Sequence, residues 1–170
     1  MLRVVGIVAL IVLATACDQT TAKTVASPSP VIAQGNWIQN LTLTGEVSGQ
    51  MTGIVPDTVL QQSECTGSKS HTGEKWSDSF YGTIDASGDQ WGVVFLIANF
   101  RGPGTYVNAD VDIQLHNSDL SKVWENHDPD KVTFFVDSGQ QSGTVDAALT
   151  SADSGKSSVQ HVTGRWNCRG

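Results

Sequence analysis

The sequence predicts an all-β fold, an antiparallel β-sandwich or closed barrel of about eight short strands. Apolar and polar residues alternate along several runs, which is the pattern of strands with one buried face. The chain has 17 glycines among 170 residues, and clusters of turn residues recur about every ten positions. No apolar run keeps a helical period over three turns. An α/β fold needs helices between its strands, so this class is excluded.

The first predicted element is a long bent strand or a hairpin over residues 41–55, LTLTGEVSGQMTGIV. Leu41, Leu43 and Val47 fall on one side of it and are predicted to face the core. Three glycines stand at every fourth position of this segment. Glycine inside a strand marks a bulge or a bend.

The next elements are predicted around a central strand over residues 91–100, WGVVFLIANF. This run is apolar on both faces, as in strands that are covered on two sides. Residues 79–85 should pair with it. The alternation of residues 105–116, TYVNADVDIQLH, predicts another strand, whose apolar positions from Val107 to Leu115 face the core. The RGPG turn predicts that this strand and the central strand form an antiparallel hairpin.

Three further strands are predicted over residues 132–136, 144–149 and 159–168, separated by the loops SGQQSG and SADSGKSS. In the last of these strands, Trp166 and Cys168 fall on the same face as two other inward positions. This face is predicted to lie on the core.

The chain begins with an apolar run over residues 4–15 that differs from all later segments. The run is about twelve residues long, whereas a membrane-spanning helix needs about 20. Arg3 precedes it, and the small residues ATA follow it directly before Cys17. A positive charge, a short apolar run and small residues predict a signal peptide.

The segment LATAC, residues 13–17, resembles the lipobox of bacterial lipoprotein signals, with Ala14 where that family most often has leucine. The resemblance implies that residues 1–16 are removed and that Cys17 carries the lipid. Two or three acyl chains anchor a protein stably in a membrane. The alternatives are an ordinary cleaved signal with an unmodified Cys17, and a retained membrane helix.

Residues 17–35 are then expected to be the lipidated cysteine and a flexible tether rich in Thr, Ser and Pro, and residues 36–170 the β-sandwich domain. With Cys17 assigned to lipid by this resemblance, Cys65 and Cys168 remain and predict one disulfide in an exported protein. A bond across a loop of about 100 residues stabilises a fold by roughly 4 to 5 kcal/mol in the chain-entropy model.

The order of lipobox, tether, glycine-rich β domain and two cysteines resembles the small all-β mycobacterial lipoprotein antigen family. The strings FRGPGTY and VTGRWNC add to this resemblance. It implies an exported all-β lipoprotein and does not imply a reaction.

The charge balance limits the partners of the chain. Ten lysines and arginines stand against 17 acidic residues, and the net charge is −7. An acidic domain without a basic run is a poor partner for nucleic acids or anionic lipid headgroups. We therefore expect no nucleic-acid partner.

The sequence contains no motif for catalysis or for a cofactor. Its four histidines stand in separate segments without zinc-binding spacing, and there is no GxSxG string. The best candidates for metal ligands are Asp110, Asp112 and His116 on the solvent face of one predicted strand, if the loop of residues 125–131, ENHDPDK, folds over them. The other interpretation is a charged strand face in contact with water.

Two of the five tryptophans, Trp76 and Trp124, stand among polar residues. They are the candidates for an exposed platform that stacks against sugar rings. The alternative is that both cover the ends of strands, with the indole N–H bonded to a neighbour.

These observations predict a non-enzymatic, membrane-anchored lipoprotein on the extracytoplasmic face of the cell membrane. Its expected role is that of an envelope binding or structural module, with an envelope polysaccharide or protein as partner. The alternatives are a carbohydrate-binding β-sandwich module and a carrier of a small apolar ligand or a metal.

Overall fold

The computed structural model describes residues 39–55, 57–58, 61–84, 88–153 and 158–168. These residues form strands, turns and two short 3-10 helices, with no α-helix among them, so the predicted all-β class is confirmed. The predicted signal peptide, Cys17 and the tether lie outside the described residues. Within the described ranges, the chain contains no helix of the length and apolarity that a membrane span requires.

The eleven strands are β1 (Asn40–Thr44), β2 (Gly49–Met51), β3 (Glu64–Cys65), β4 (Trp76–Thr83), β5 (Gln90–Ile97), β6 (Gly104–Val107), β7 (Asp112–Asn117), β8 (Val123–Glu125), β9 (Val132–Val136), β10 (Ser142–Ser151) and β11 (Val159–Asn167). The 3-10 helices are Gly67–Lys69 and Asn108–Asp110.

The strands form one antiparallel sheet in the order β2-β1-β11-β10-β8-β7-β5-β4-β3. The sheet branches at β10. Residues 143–147 of this strand pair with β9, which in turn pairs with β6, whereas Thr150 and Ser151 pair with β8. One strand therefore connects two groups of strands, and the sheet curls.

Most predicted strands are present at the expected places. β1 and β2 form a hairpin in which Leu41 and Leu43 are buried. β5 is paired along both edges, with β4 and with β7. Its outer face is not covered as predicted, because Val94 and Leu96 are only half-buried there. The sheet has more strands than the eight predicted for two reasons. β3 and β8 have only two and three residues, too few to give a clear period, and one predicted strand is divided into β6 and β7.

The prediction of a single strand over residues 105–116 is wrong. The 3-10 helix Asn108–Asp110 separates β6 from β7, so that β6 pairs with β9 and only β7 pairs with β5. The inward side also changes at this helix. Val107 is 51% exposed and Tyr106 is buried, the reverse of the predicted alternation, although the apolar residues beyond the helix face the core as predicted.

Burial of Tyr106 in place of Val107 has a physical cause. The larger aromatic ring stacks on Phe100 with the ring centroids 5.9 Å apart. Its hydroxyl donates a hydrogen bond to the carbonyl oxygen of Gly102 at 2.6 Å and accepts one from the backbone N–H of Arg101 at 2.9 Å. Burying a larger apolar area with the polar group satisfied is more favourable than burying the valine.

The core is centred on four aromatic side chains from both groups of strands. Trp76 contacts Trp166 with centroids 5.1 Å apart, and Phe95 contacts Phe134 at 4.9 Å. Phe134 and Trp166 stack at 5.2 Å. The strands β4 and β5 therefore pack against β9 and β11 through these rings.

The predicted disulfide between Cys65 and Cys168 is present, with the two Cα atoms 5.6 Å apart. This separation is within the usual range for the bond. It joins β3 to the residue that follows β11, next to the aromatic centre of the core.

Candidate functional site

The proposed platform of exposed tryptophans is wrong. Trp76 has no exposed surface, and Trp124 is 2% exposed. Their indole N–H groups donate to the carbonyl oxygen of Gln140 at 3.4 Å and to Oγ of Ser158 at 3.1 Å. The polar residues beside each tryptophan in the sequence occupy the opposite strand face or the adjoining turns, so both rings belong to the core.

The structure does not bring Asp110, Asp112 and His116 together as metal ligands. Asp110 lies in the 3-10 helix and accepts two hydrogen bonds from the guanidinium of Arg101, at 2.8 and 2.9 Å. These bonds hold the pKa of Asp110 below its usual value. His116 is buried with its ring against Gly92 and with Nδ1 2.9 Å from the carbonyl oxygen of Asn117. Only Asp112 stays exposed on β7.

Asp112 lies instead at the junction of two adjoining cavities of about 710 and 350 Å³. Both are also lined by Asn126 and His127. The larger cavity extends along the loop between β8 and β9, and the smaller one extends over the outer face of β5, β7 and β8. We call the combined surface the polar groove; its polar lining comprises Asn108, Asp112, Gln114, Glu125, Asn126, His127, Asp128, Asp130, Lys131 and Thr133.

Asn126 fixes one wall of the polar groove. Its Oδ1 accepts a hydrogen bond from the backbone N–H of Ile113 at 2.5 Å, and its Nδ2 donates to the carbonyl oxygen of Val111 at 3.0 Å. The same Nδ2 donates to Oδ1 of Asn108. One amide therefore connects the loop to β7 and to the 3-10 helix.

Asp130 fixes the other end of this loop. Its Oδ2 accepts a hydrogen bond from the backbone N–H of His127 at 2.7 Å. The hydroxyl of Thr150 on β10 donates to its Oδ1 at 3.1 Å. The Asp128–Pro129 peptide bond between these contacts is cis. The loop is thus attached to the sheet at both ends.

Four side chains of the polar groove have no polar contact with other described residues: Asp112, His127, Asp128 and Lys131. The first three offer carboxylate and imidazole groups, and the fourth is a cation. Valines and a leucine, Val94, Leu96, Val107 and Val132, supply apolar surface between them. The groove combines free hydrogen-bonding groups with a fixed frame, which suits binding of a polar ligand.

A second unusual site lies inside the core, where Asp78 occupies a position that would ordinarily hold an apolar residue. The inward row of β4 runs Trp76, Asp78, Phe80. Asp78 has no exposed surface, and it lies opposite Cys65 on one neighbouring strand and Phe95 on the other. Neither carboxyl oxygen has a hydrogen-bond partner within the described part of the chain. Burial raises the pKa of Asp78 well above its usual value.

The carboxyl group of Asp78 is close to the disulfide. One of its oxygens and the Sγ atoms of Cys65 and Cys168 all lie within 4.8 Å of one another. The bonded sulfurs are not thiolates, which are the form that binds a metal. The indole N–H of Trp166, two residues before Cys168, also lacks a partner among the described residues.

Two turns cover the disulfide. The backbone N–H of Cys168 donates to the carbonyl oxygen of Gln141 at 2.7 Å. The side-chain amide of Gln141 donates to Oγ of Ser68 at 3.3 Å. A Cβ atom on Gly67 would lie 3.7 Å from Sγ of Cys65. Cys65 is half-buried, and Cys168 is 2% exposed.

Sequence reasoning missed both sites to different degrees. It named the loop of residues 125–131 only as a cover for other ligands, and the groove depends on Asn126, whose role no local pattern indicates. Asp78 had a visible signal, because the alternation of Trp76, Asp78 and Phe80 places the carboxyl on the same face as two large aromatic rings. Comparison with protein-family models, with curated protein sequences and with solved structures gave no match to this chain.

Proposed function

We propose that this chain is an exported, lipid-anchored and non-enzymatic module that binds a polar, hydroxyl-rich component of the cell envelope, such as a polysaccharide, in the polar groove. The observation that carries this proposal is the groove itself. Asp112, His127 and Asp128 present unoccupied hydrogen-bonding groups on a loop that Asn126 and Asp130 attach to the sheet.

The charges of the groove favour a neutral or cationic ligand. The free acidic side chains of Asp112 and Asp128 outnumber the free cation of Lys131. Carboxylates accept strong hydrogen bonds from hydroxyl groups and repel anions. A fixed frame also lowers the entropy lost on binding. The groove therefore replaces the tryptophan platform as the proposed site for a saccharide.

The finer architecture is also part of this proposal. We infer that β4 and β5 face β9 and β11 as the two layers of a β-sandwich. The contacts between Trp76 and Trp166 and between Phe95 and Phe134 support this arrangement over a closed barrel.

The test of the groove is binding of the purified full-length chain to the envelope polysaccharides of the producing cell, with peptidoglycan as the first probe. We expect Asp112→Asn to weaken binding about tenfold or more, since a hydrogen bond to a charged group contributes roughly 1.5 to 3 kcal/mol. Glu64→Gln is the matched control. It removes one exposed carboxylate from β3, away from the groove, and should leave the affinity unchanged.

Two outcomes would contradict binding in the groove. One is that the wild-type chain binds none of these polymers. The other is an equal loss in Asp112→Asn and Glu64→Gln, which would indicate a general effect of net charge.

The lipid anchor rests on the LATAC segment, and the disulfide supports export because such bonds persist in oxidising compartments. We expect Cys17→Ser to abolish incorporation of a labelled fatty acid and to release the protein from the membrane fraction. Ser27→Ala, a change within the same tether, serves as the control and should label like the wild type. Labelling of Cys17→Ser at the wild-type level would refute the anchor.

A further inference from the structure

The core contains a carboxyl group whose burial is not offset by a hydrogen bond or an ion pair with any described residue. Asp78 is fully buried, its two oxygens have no partner among the described residues, and its neighbours across the paired strands are Cys65 and Phe95. An apolar side chain would cost less free energy at this place. The group that its carboxyl does approach is the disulfide, at 4.8 Å or less from both sulfurs.

We propose that the Cys65–Cys168 disulfide is opened and closed by thiol–disulfide exchange with an external dithiol, and that Asp78 is the proton donor to Cys168 when the bond opens and the acceptor when it closes. This activity is separate from the proposed lipid anchor and groove, because it depends on Asp78, Cys65 and Cys168 and on no residue of the anchor or the groove.

The first step is attack on Cys65. A thiolate of the external dithiol attacks Sγ of Cys65, a mixed disulfide forms, and the bond between Cys65 and Cys168 breaks. Sγ of Cys168 takes the electron pair of that bond and the proton of the Asp78 carboxyl. Cys168 becomes a thiol and Asp78 a carboxylate.

The second step completes the reduction. The second thiol of the external molecule loses its proton to solvent and attacks its own sulfur in the mixed disulfide. Cys65 leaves as a thiolate and takes a proton from solvent, and Asp78 recovers a proton from solvent. Two electrons pass from the dithiol, which becomes a cyclic disulfide, to the two cysteines. Closing of the bond is the reverse sequence.

The burial of the two cysteines determines which sulfur is attacked. Cys65 is half-buried and borders a turn, whereas Cys168 is 2% exposed. Attack at Cys65 leaves Cys168 as the departing sulfur inside an apolar region. A buried thiolate is costly and leaves slowly. A proton supplied by Asp78 removes this cost because a neutral thiol leaves instead.

Among the described residues, no other titratable group competes for this proton. β5 carries none. Tyr81 on β4 lies on the face opposite to Asp78. On β3, β11, the turn before β10 and the 3-10 helix Gly67–Lys69, the remaining groups lie on exposed faces or are already bonded: Glu64, Lys69, Asp137, His161 and Arg165.

The test is the rate at which dithiothreitol reduces the disulfide of the folded full-length chain, followed by alkylation and mass spectrometry and expressed per reductant thiolate. For the wild type we expect a constant rate while Asp78 is protonated and a decline as the pH rises through its pKa. Asp78→Asn should react about tenfold or more slowly at the lower pH values and should have no such decline. With a monothiol, the mixed disulfide should be found on Cys65.

Two control variants separate this from simpler effects. Glu64→Gln removes a charge next to Cys65 and should change the rate less than twofold, as an order-of-magnitude expectation for an exposed group. Phe80→Leu changes a core residue on the same face of β4 as Asp78. It should lower the stability of the fold, and it leaves the carboxyl of Asp78 in place. The reduction rates of the wild type, Asp78→Asn and Phe80→Leu are compared with their equilibrium constants for unfolding. If the rates vary in proportion to these constants, reduction proceeds through the unfolded chain and the proposal is overturned. A wild-type pH profile without a decline would also overturn it, even if Asp78→Asn failed to fold.

Discussion

Asp78 is a single residue whose burial lowers the stability of the fold. Its carboxyl lies among aromatic rings, and burial raises its pKa, so the protonated form is favoured in the folded state. In the unfolded chain the same group ionises near its usual pKa. The unfolded state therefore releases this proton at a lower pH than the folded state does, and Asp78 makes stability depend on pH.

The sign of this dependence follows from proton linkage. Below the usual pKa of 3.8, both states hold the proton, and ionisation of Asp78 causes no loss of stability. As the pH rises from there towards the raised pKa of the folded state, the folded state binds more protons, and stability falls by about 1.4 kcal/mol per pH unit.

Asp78→Asn removes this titration. We expect the difference in unfolding free energy between Asp78→Asn and the wild type to move in favour of the variant as the pH rises from about 4, measured by urea denaturation at several pH values. A constant difference across this range would contradict the buried, protonated carboxyl.

At the scale of the elements, sequence alternation predicted the strands that bury one complete face. β1, β9 and β11 are of this kind. Sequence alternation gave a wrong prediction at residues 105–116. The apolar residues of this segment alternate without a break, although a 3-10 helix divides it into two strands with different partners. The polar groove could not be predicted, since strand pairing brings its wall residues together from separate segments. The disulfide could be predicted because only Cys65 and Cys168 remained once the lipobox resemblance assigned Cys17 to lipid.

Among the glycines of the described residues, Gly143 on β10 leaves the least room for a side chain. A Cβ atom at this residue would lie 1.7 Å from the carbonyl oxygen of Phe135 and 2.7 Å from a ring carbon of Trp166. We therefore expect Gly143→Ala to lower the unfolding free energy by about 2 to 3 kcal/mol or more, since overpacking forces the backbone to move. Gly139→Ala in the adjoining turn is the control, because its nearest neighbour would be at 3.6 Å. Equal midpoints for the two variants in urea denaturation would show that β9 and β10 have more room than their contacts indicate.

At the scale of the whole described fold, the disulfide joins two parts of the sheet that its curl brings together. β11 is third and β3 is ninth in the strand order, and six steps of about 4.8 Å in a flat sheet would separate them by about 29 Å. The Cα atoms of Cys65 and Cys168 are 5.6 Å apart. The end of the path must therefore return towards β11, and the bond fixes that return across a separation of 103 residues. The predicted stabilisation of roughly 4 to 5 kcal/mol belongs to this closure.

The edge strands of the sheet are short, and this affects how readily two copies of the protein can aggregate. In the described part of the chain these strands are β2, β3 and β6, with three, two and four residues. A long free edge offers a row of unpaired backbone groups to which a second molecule can add a strand, and this is a common beginning of aggregation. Here each edge offers only a few such groups. Copies held side by side at high density can thus stay separate proteins, without merging into a shared sheet.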